Sequence, residues 1–476
     1  MAILGVNMTE TNLAAMTATE LSALYKTGAA SPVEATQAVL ARAAALNPDL
    51  NAFCLIDSEG ALQAARDSER RWKAGAPLSP LDGVPTSLKE ALYARGWPTL
   101  MGSKAVDPNQ NWEADSPVTA RLRAAGAVLF AQTTSPEYGH KGVTDSLLHG
   151  ITRNPWNLAR TPGGSSGGAG AAVAARIGPL AIGTDGGGSI RVPAALCGIF
   201  GLKPTYGRVP SWPHGFSNDL GNTGPMTRTV RDAALMMNEI TKPDIRDAYA
   251  LPPAQIDYEA ALDAPVKNLK IGYVLQLGTH EMDPEIADSV RAAAQRFTEL
   301  GCEVEEFTPD LGDIDAGLLF GTHWACFMQR ILQIHPPEAH KLLDPGVVGL
   351  ANWGSSFSSA DLVAAMALRA ELAERWNLIF GAYDLVLCPA TASTAFDVGI
   401  PAPLGKDGQP NLLWTPFAYH FNLSRHPAAS VPCGVSAAGL PIGMMLASAH
   451  YREDLILRAA HAYQQSWPTP LPDLAG

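Results

Sequence analysis

The order of apolar and polar residues along the chain predicts helices and strands that alternate from end to end. Two N-terminal helices are expected to begin after Thr17 and Ser31, because a glutamate stands three positions beyond each, which is the pattern of a capping box. Residues 127–131 form an uninterrupted apolar run, typical of a strand that is buried on both faces. Residues 169–175 are small and apolar, and they predict a buried helix.

The same patterns predict the remaining elements. Strands are predicted near residues 83–89, 179–183, 198–203, 268–274, 302–307, 385–388, 430–434 and 441–447. Helices are predicted near residues 115–125, 229–240, 283–300, 310–382 and 452–464. Alternation without a linker predicts one α/β domain over 1–476, with a central, mostly parallel mixed twisted sheet covered by helices on both faces. A helical, substrate-shaping insertion is expected at about 310–360.

The composition indicates a folded chain with a large apolar interior. Of the 476 residues, 47% are hydrophobic and 17% are charged, which excludes global disorder. The net charge is −12, so the chain has no electrostatic footprint for nucleic acid or an anionic membrane. The N-terminus lacks the pattern of a signal peptide, and no apolar run is long enough to span a membrane.

Cysteine and histidine patterns give no sign of a metal or another cofactor. Six dispersed cysteines form no CxxC pair, so we expect free thiols and a cytoplasmic location. The histidines are scattered, and the chain contains no HExxH, GxxxxGK[ST] or GxGxxG motif. The expected partners are a small-molecule substrate and water. The oligomeric state stays open, with a homodimer as one option.

One segment rich in glycine and serine contains two candidate nucleophiles, and its apolar stretches argue against a mobile linker. Ser165 lies in GGSSG, which matches the GxSxG nucleophile elbow. The elbow needs a preceding buried strand, whereas a polar loop with two prolines precedes Ser165. Ser189 follows Gly186, Gly187 and Gly188, whose N–H groups could converge on a carbonyl oxygen as an oxyanion hole.

Ser189 needs a base from elsewhere in the chain, because no histidine stands near it in sequence. Lys89 is the best candidate, since it ends a strand-like segment whose apolar positions indicate burial. Burial disfavours the charged form of a lysine and lowers its pKa, and a neutral lysine can accept a proton from a serine. Most lysines are nevertheless solvated surface groups.

These motifs make the chain resemble the amidase signature family over almost its whole length. The block GGSSGG…GTDGGGSIRVPAALCGIFGLKPTYGRV carries the resemblance. The resemblance implies a Ser–cis-Ser–Lys triad that hydrolyses amides. Ser189 is then the nucleophile that forms an acyl-enzyme, and Ser165 relays protons to Lys89. The resemblance also implies the amidase signature fold and a cis peptide bond before Ser165.

The resemblance further implies a set of residues that support the triad. Ser166, Asp185 and Arg191 match motif positions that hold the loops in place as hydrogen-bonding groups. The chain departs from the family pattern at two positions. Glu90 follows the lysine where an aspartate is usual, and Gly186 stands where a larger residue is common, which makes that loop more open or flexible.

The expected substrate is a small, neutral, hydrophobic or aryl amide whose C–N bond is cleaved. Anilides, carbamates (urethanes) and esters are compatible with the same acyl chemistry. Tyr138, Phe216 and Phe417 are candidate residues of an apolar substrate pocket, although ordinary core packing explains each of them equally well.

The main alternative is the A-type subunit of glutamine-tRNA amidotransferase, which shares the motif block and generates ammonia from glutamine. A protein of that kind needs charged groups that bind the α-amino and α-carboxylate groups of glutamine. The corresponding residues 412–419 contain no acid, and residues 342–368 contain no arginine or lysine. A third hypothesis, a binding protein with a degenerate site, conflicts with the presence of Lys89, Ser165 and Ser189.

Overall fold

An eleven-stranded sheet forms the centre of the described part of the protein. The computed structural model describes residues 12–215, 219–278, 281–411 and 414–474. A separate two-stranded hairpin consists of β4 and β5. The strands are β1 Phe53–Ile56, β2 Pro85–Lys89, β3 Val128–Thr133, β4 Asp145–Ser146, β5 Gly150–Ile151, β6 Leu180–Asp185, β7 Phe200–Lys203, β8 Asn222–Thr227, β9 Lys270–Tyr273, β10 Glu303–Glu306, β11 Leu385–Pro389, β12 Ala428–Val435 and β13 Pro441–Ser448.

The large sheet is mixed, as predicted, but it is not mostly parallel. Its order is β1-β3-β2-β6-β8-β7-β12-β13-β11-β9-β10. Four of the ten pairings are parallel, namely β2–β3, β2–β6, β9–β10 and β9–β11, and six are antiparallel. Only the expectation of mostly parallel strands was wrong, because an uninterrupted apolar run reports burial on both faces and does not fix the direction of the strand.

Helices flank this sheet. Within the described residues the α-helices are α1 Ala18–Thr27, α2 Pro32–Leu50, α3 Ser58–Lys73, α4 Pro117–Ala124, α5 Gly167–Ala174, α6 Arg191–Cys197, α7 Val230–Ile240, α8 Pro284–Glu299, α9 Ala316–Ile334, α10 Pro345–Gly354, α11 Ser359–Ala382, α12 His420–Leu423 and α13 Glu453–Ser466. None of the described helices is both long and apolar enough to cross a membrane.

Local sequence signals located several of these elements correctly. Capping boxes at Thr17 and Ser31 begin α1 and α2, as predicted. Every residue of α5 is buried, which confirms the interpretation of its small apolar residues. The pattern missed β1, α3 and β8. Strand β8 contains Pro225, which pairs with Ile182 inside the sheet, where a proline normally argues against a strand.

The parallel pairing of β2 with β6 positions the candidate site. Leu88 of β2 lies opposite Ile182 of β6, so the carboxyl ends of both strands meet at one edge of the sheet. Ligands bind outside the carboxyl ends of parallel strands in open α/β sheets. Lys89 ends β2 and Asp185 ends β6, and the predicted chemistry therefore gathers at this edge.

Candidate active site

Lys89 is a buried lysine at the end of β2, with 1% of its surface exposed. Its Nζ lies 2.6 Å from the Ser165 hydroxyl oxygen and 2.9 Å from the Thr184 hydroxyl oxygen. Burial lowers the pKa of Lys89 to about 7, although the charges of Asp185 and Glu90 oppose the shift. The side chain can therefore lose and regain a proton near neutral pH while it touches a serine hydroxyl.

The loop that carries Ser165 is packed too closely for larger residues. The Gly164–Ser165 peptide bond is cis, as the resemblance implies. A Cβ on Gly164 would lie 2.7 Å from the backbone of Val143, so only glycine fits there. The Ser166 N–H donates to the carbonyl oxygen of Ser189 at 3.1 Å, and the Ser166 hydroxyl donates to the carbonyl of Thr184 at 3.1 Å.

The glycine turn before Ser189 uses one of its N–H groups internally. Gly188 adopts φ +118°, and its N–H donates to Oδ1 of Asp185 at 2.7 Å. The Ile190 N–H donates to Oδ2 of Asp185 at 3.1 Å. The structure therefore does not offer the Gly188 N–H to a ligand, and the expectation that all three glycines form the oxyanion hole needs this correction. Gly186 and Gly187 remain candidate donors, and the N–H of Ser189 in the same turn is a third.

Asp185 and Arg191 form a buried ion pair that holds this turn. Oδ1 and Oδ2 of Asp185 each accept from the Arg191 guanidinium at 3.0 Å. Asn422 donates to Oδ1 of Asp185 at 2.9 Å and accepts from Arg191 at 2.6 Å. Burial alone would raise the pKa of Asp185, but Arg191 and Asn422 hold it well below its usual range. The carboxylate stays charged, and its hydrogen bonds fix the backbone on both sides of Ser189.

A cavity of about 410 Å³ opens over these groups. Lys89, Ser165 and Ser189 all line it, and the Ser189 residue is half-buried. Its lining is mainly apolar, with side chains that include Leu92, Met101, Val118, Tyr138, Trp212, Trp324, Ile331 and Ile334. Cavities of this size and character hold small ligands.

The three predicted substrate residues have different positions. Tyr138 lines the cavity, and its hydroxyl lies 2.5 Å from Nε2 of His335. Phe417 is fully buried in a hydrophobic cluster with Trp376 and Phe421, and it is not among the described residues that line the cavity. Phe216 lies outside the described residues.

The model of the family described as "Amidase" matches residues 34–457 of the chain. The chain belongs to the amidase signature family. This amidase is 36% identical over 465 residues to an acylamidase from Rhodococcus erythropolis, with 97% of each chain covered. It is also 36% identical to the A-type subunit of glutamyl-tRNA(Gln) amidotransferase from a Roseiflexus species, over 94% of this chain and 96% of the relative. The crystal structure of a bacterial aryl acylamidase of the same family has a TM-score of 0.89 and 32% identity, covering 96% and 98% of the two chains.

Sequence reasoning missed Trp324, an aromatic residue that lines the amidase cavity. Trp324 and Phe320 stack on each other along α9, with ring centroids 5.6 Å apart. A Cβ on Gly186 would lie 3.0 Å from the Trp324 ring, and one on Gly187 would lie 2.4 Å from the Phe320 ring. Because the glycine turn has no side chains at these positions, the aromatic rings of α9 can pack directly against its backbone. No local signal near the glycine turn points to α9, since the two are more than a hundred residues apart.

Proposed function

We propose that this amidase cleaves the C–N bond of a small, neutral, hydrophobic or aryl amide through an acyl-enzyme on Ser189. The contact of 2.6 Å between Lys89 and Ser165, in a cavity that Ser189 also lines, carries the proposal. A lysine with a pKa of about 7 is neutral in a large fraction of molecules at neutral pH. It can therefore serve as a base where an ordinary lysine cannot.

In the proposed reaction the Ser189 hydroxyl attacks the amide carbonyl while its proton passes to Ser165. Ser165 passes its own proton to the neutral amine of Lys89, which becomes an ammonium group. When the tetrahedral intermediate collapses, the C–N bond breaks and Lys89 returns the proton through Ser165 to the leaving amine. Water then attacks the acyl-enzyme with the same relay, which releases a carboxylic acid and restores Ser189.

The backbone supplies the proposed stabilisation of the oxyanion. The N–H groups of Gly186, Gly187 and Ser189 belong to the turn between Asp185 and α6, and we assign the oxyanion hole to this set. Donors fixed before the reaction stabilise developing charge without reorganisation. The buried pair of Asp185 and Arg191 supplies that rigidity here, because Asp185 accepts hydrogen bonds both from the turn and from Arg191.

The cavity lining supports a neutral, apolar substrate. Aromatic and aliphatic side chains make up most of the wall, and Tyr138 and Trp324 are placed to contact an aryl or alkyl group. Carbamates and esters share the acyl chemistry and are proposed as secondary substrates. A homodimer stays a prediction.

Ammonia production from glutamine is the second candidate function, since A-type amidotransferase subunits are among the relatives. Arg330, an exposed residue at the cavity, could pair with an α-carboxylate. The α-ammonium group would need a carboxylate partner. Asp185 is the one carboxylate among the described lining residues, and it is engaged by Arg191 and Asn422. This lining favours hydrolysis of a neutral amide.

A substrate panel tests the proposed substrate class. We expect p-nitroacetanilide and other neutral amides to be hydrolysed, with carbamates and esters slower and glutamine inert. Hydrolysis of glutamine with no turnover of neutral amides would overturn the proposal in favour of the amidotransferase function.

Covalent labelling tests the nucleophile separately from the substrate. A fluorophosphonate should label Ser189, and Ser189→Ala should remove both the label and turnover. Ser165→Ala should keep a reactive Ser189 that labels more slowly. If the label survives in Ser189→Ala and disappears in Ser165→Ala, the nucleophile is Ser165.

A further inference from the structure

Cys54, Glu90 and His149 form a cluster that the proposed reaction does not use. Their donor atoms, a thiol sulfur, a carboxylate oxygen and an imidazole nitrogen, all lie within 4.8 Å of one another. The three residues come from different parts of the fold: Cys54 from β1, Glu90 from the end of β2, and His149 from the turn before β5. The fold thus brings three different metal-ligand types to one point.

Glu90 presents one carboxylate oxygen to the other two residues. Its Oε1 accepts from the backbone N–H of Ser135 at 3.0 Å and from the Ser135 hydroxyl at 3.1 Å. Its Oε2 lies 2.9 Å from Nε2 of His149. The side chain is 1% exposed, so its orientation is fixed by these contacts. Hydrogen bonds to the second oxygen of a carboxylate are the usual support for a metal ligand.

A β-bulge directs Cys54 toward this cluster. Phe53 pairs with Thr133 and Leu55 with Gln132, so Cys54 is the extra residue between two consecutive pairs. Bulges re-aim side chains at sheet edges, and β1 is the edge strand of the large sheet. Cys54 is a half-buried cysteine outside any disulfide, and its thiol donates a long hydrogen bond of 3.5 Å to the carbonyl of Gln132, which a metal ion would replace.

The backbone of His149 is held while its ring stays accessible. The His149 N–H donates to the Ser146 hydroxyl at 2.9 Å, and its carbonyl accepts from the Asn51 side chain at 2.7 Å. The imidazole side chain is 16% exposed. The ring is therefore partly open to solvent, whereas the carboxylate of Glu90 is buried.

We propose that Cys54, Glu90 and His149 bind one divalent transition-metal ion, with zinc the preferred ion. A thiolate, an imidazole and a carboxylate form a borderline-soft donor set that suits Zn²⁺ and excludes Mg²⁺ and Ca²⁺, which require oxygen ligands. In a tetrahedral zinc site such donors lie about 3.3–3.6 Å apart, given bond lengths of about 2.0–2.3 Å. Small side-chain movements produce that spacing. Binding displaces the thiol proton to solvent, and water completes the coordination.

The bound ion would anchor two segments that the sheet holds weakly. β1 has one neighbour in the sheet, and the β4–β5 hairpin is separate from it. The ion would fasten both to the end of β2, beside the residues that line the cavity. A ligand that binds the folded state alone raises stability with its concentration, so zinc should raise the melting temperature.

Cobalt substitution of the full-length protein tests the site directly. Co²⁺ bound by a thiolate gives a strong ligand-to-metal charge-transfer band in the near ultraviolet. We expect this band at one Co²⁺ per chain, displaced by Zn²⁺ and unaffected by Mg²⁺. Cys54→Ser should remove the band, and His149→Ala should weaken Zn²⁺ binding at least tenfold in calorimetry. The matched control is Cys326→Ser, which changes a half-buried cysteine elsewhere and should retain the band.

Two results would overturn the proposal: no charge-transfer band in the native protein, or a band that persists in Cys54→Ser. His149→Ala keeps the test decisive if Cys54→Ser does not fold. In that case, an equal rise in melting temperature with Zn²⁺ in the native protein and in His149→Ala would also refute the site.

Discussion

Two fully buried lysines, Lys89 and Lys203, lie in different regions of this amidase, and both have a lowered pKa. Burial lowers the pKa of each to about 7. Lys89 ends β2 on the wall of the cavity and contacts the hydroxyls of Ser165 and Thr184. Lys203 ends β7, donates to the carbonyl of Pro204 at 2.8 Å, and is not among the described residues that line the cavity.

The difference shows that a perturbed pKa does not by itself locate a site. Both lysines can be neutral near pH 7, but only Lys89 touches a hydroxyl in a cavity where a substrate could bind. The Nζ of Lys203 meets a backbone carbonyl, which can accept a hydrogen bond but has no proton to give. Geometry therefore assigns the role, and the pKa only permits it.

The largest effect that separates the two lysines should come from their replacement by methionine. Lys89→Met removes the proposed base, and kcat for a neutral amide should fall by roughly 10²–10⁴-fold, the range of general acid–base catalysis. Measurement of kcat, with circular dichroism as a check on folding, tests this expectation.

Lys203→Met is the matched control, since it removes a lysine of equal burial and equal pKa. Its kcat per folded molecule should stay within a few fold of the native value. A change in its melting temperature does not affect this test. A loss of kcat in Lys203→Met as large as in Lys89→Met would mean that the contact with Ser165 is not what matters.

The pH dependence of activity should follow Lys89 alone. The proposed reaction needs the neutral amine, so kcat/KM should rise about tenfold per pH unit below pH 7 and level off above about pH 8. Lys203→Met should leave this profile in place. A profile that is flat from pH 6 to 9 in the native enzyme would contradict a lysine base.

Stability, unlike activity, should respond to both lysines equally. Each has a pKa of about 7 in the folded protein and about 10.4 when unfolded, so between these values the unfolded chain binds more protons. The free energy of unfolding should therefore rise with pH from about 7 to 10. Either methionine variant should reduce this rise by up to about 1.4 kcal/mol per pH unit. Denaturant unfolding at pH 7 and pH 10 measures the increase in the free energy of unfolding. If only one of the two variants shows a smaller increase, the two lysines do not contribute equally to stability.

The sequence pointed to the proposed site residues more directly than to their surroundings. Lys89 could be found because the apolar flank of a short strand indicates burial. Its pairing with Ser165 came from the family resemblance, since no local pattern shows which residues meet across 76 positions. The use of the Gly188 N–H by Asp185 depends on the exact turn geometry, which composition does not encode.

For the fold, the sequence predicted local elements better than their arrangement. Capping residues and apolar runs located most helices and strands, because those signals are local. Strand direction and the place of β8 were not predictable, because both depend on neighbours distant in sequence. Strand β8 tolerates Pro225 between β6 and β7, a position that the local pattern does not reveal.

The smallest predicted effect concerns Thr184, whose hydroxyl is the second hydrogen-bond acceptor of the Lys89 amine. Thr184→Val keeps the shape of the side chain and removes its hydrogen bond of 2.9 Å to Nζ. One such bond contributes about 0.5–1.5 kcal/mol, so kcat should fall by roughly 2- to 10-fold. Thr227→Val is the control. The Thr227 hydroxyl donates to the backbone carbonyl of Thr229 at 2.7 Å, and Thr227 is not among the described residues that line the cavity. This variant should therefore change stability but not kcat. If the two variants lose activity equally, Thr184 acts through packing, and Ser165 is then the partner that distinguishes Lys89 from Lys203.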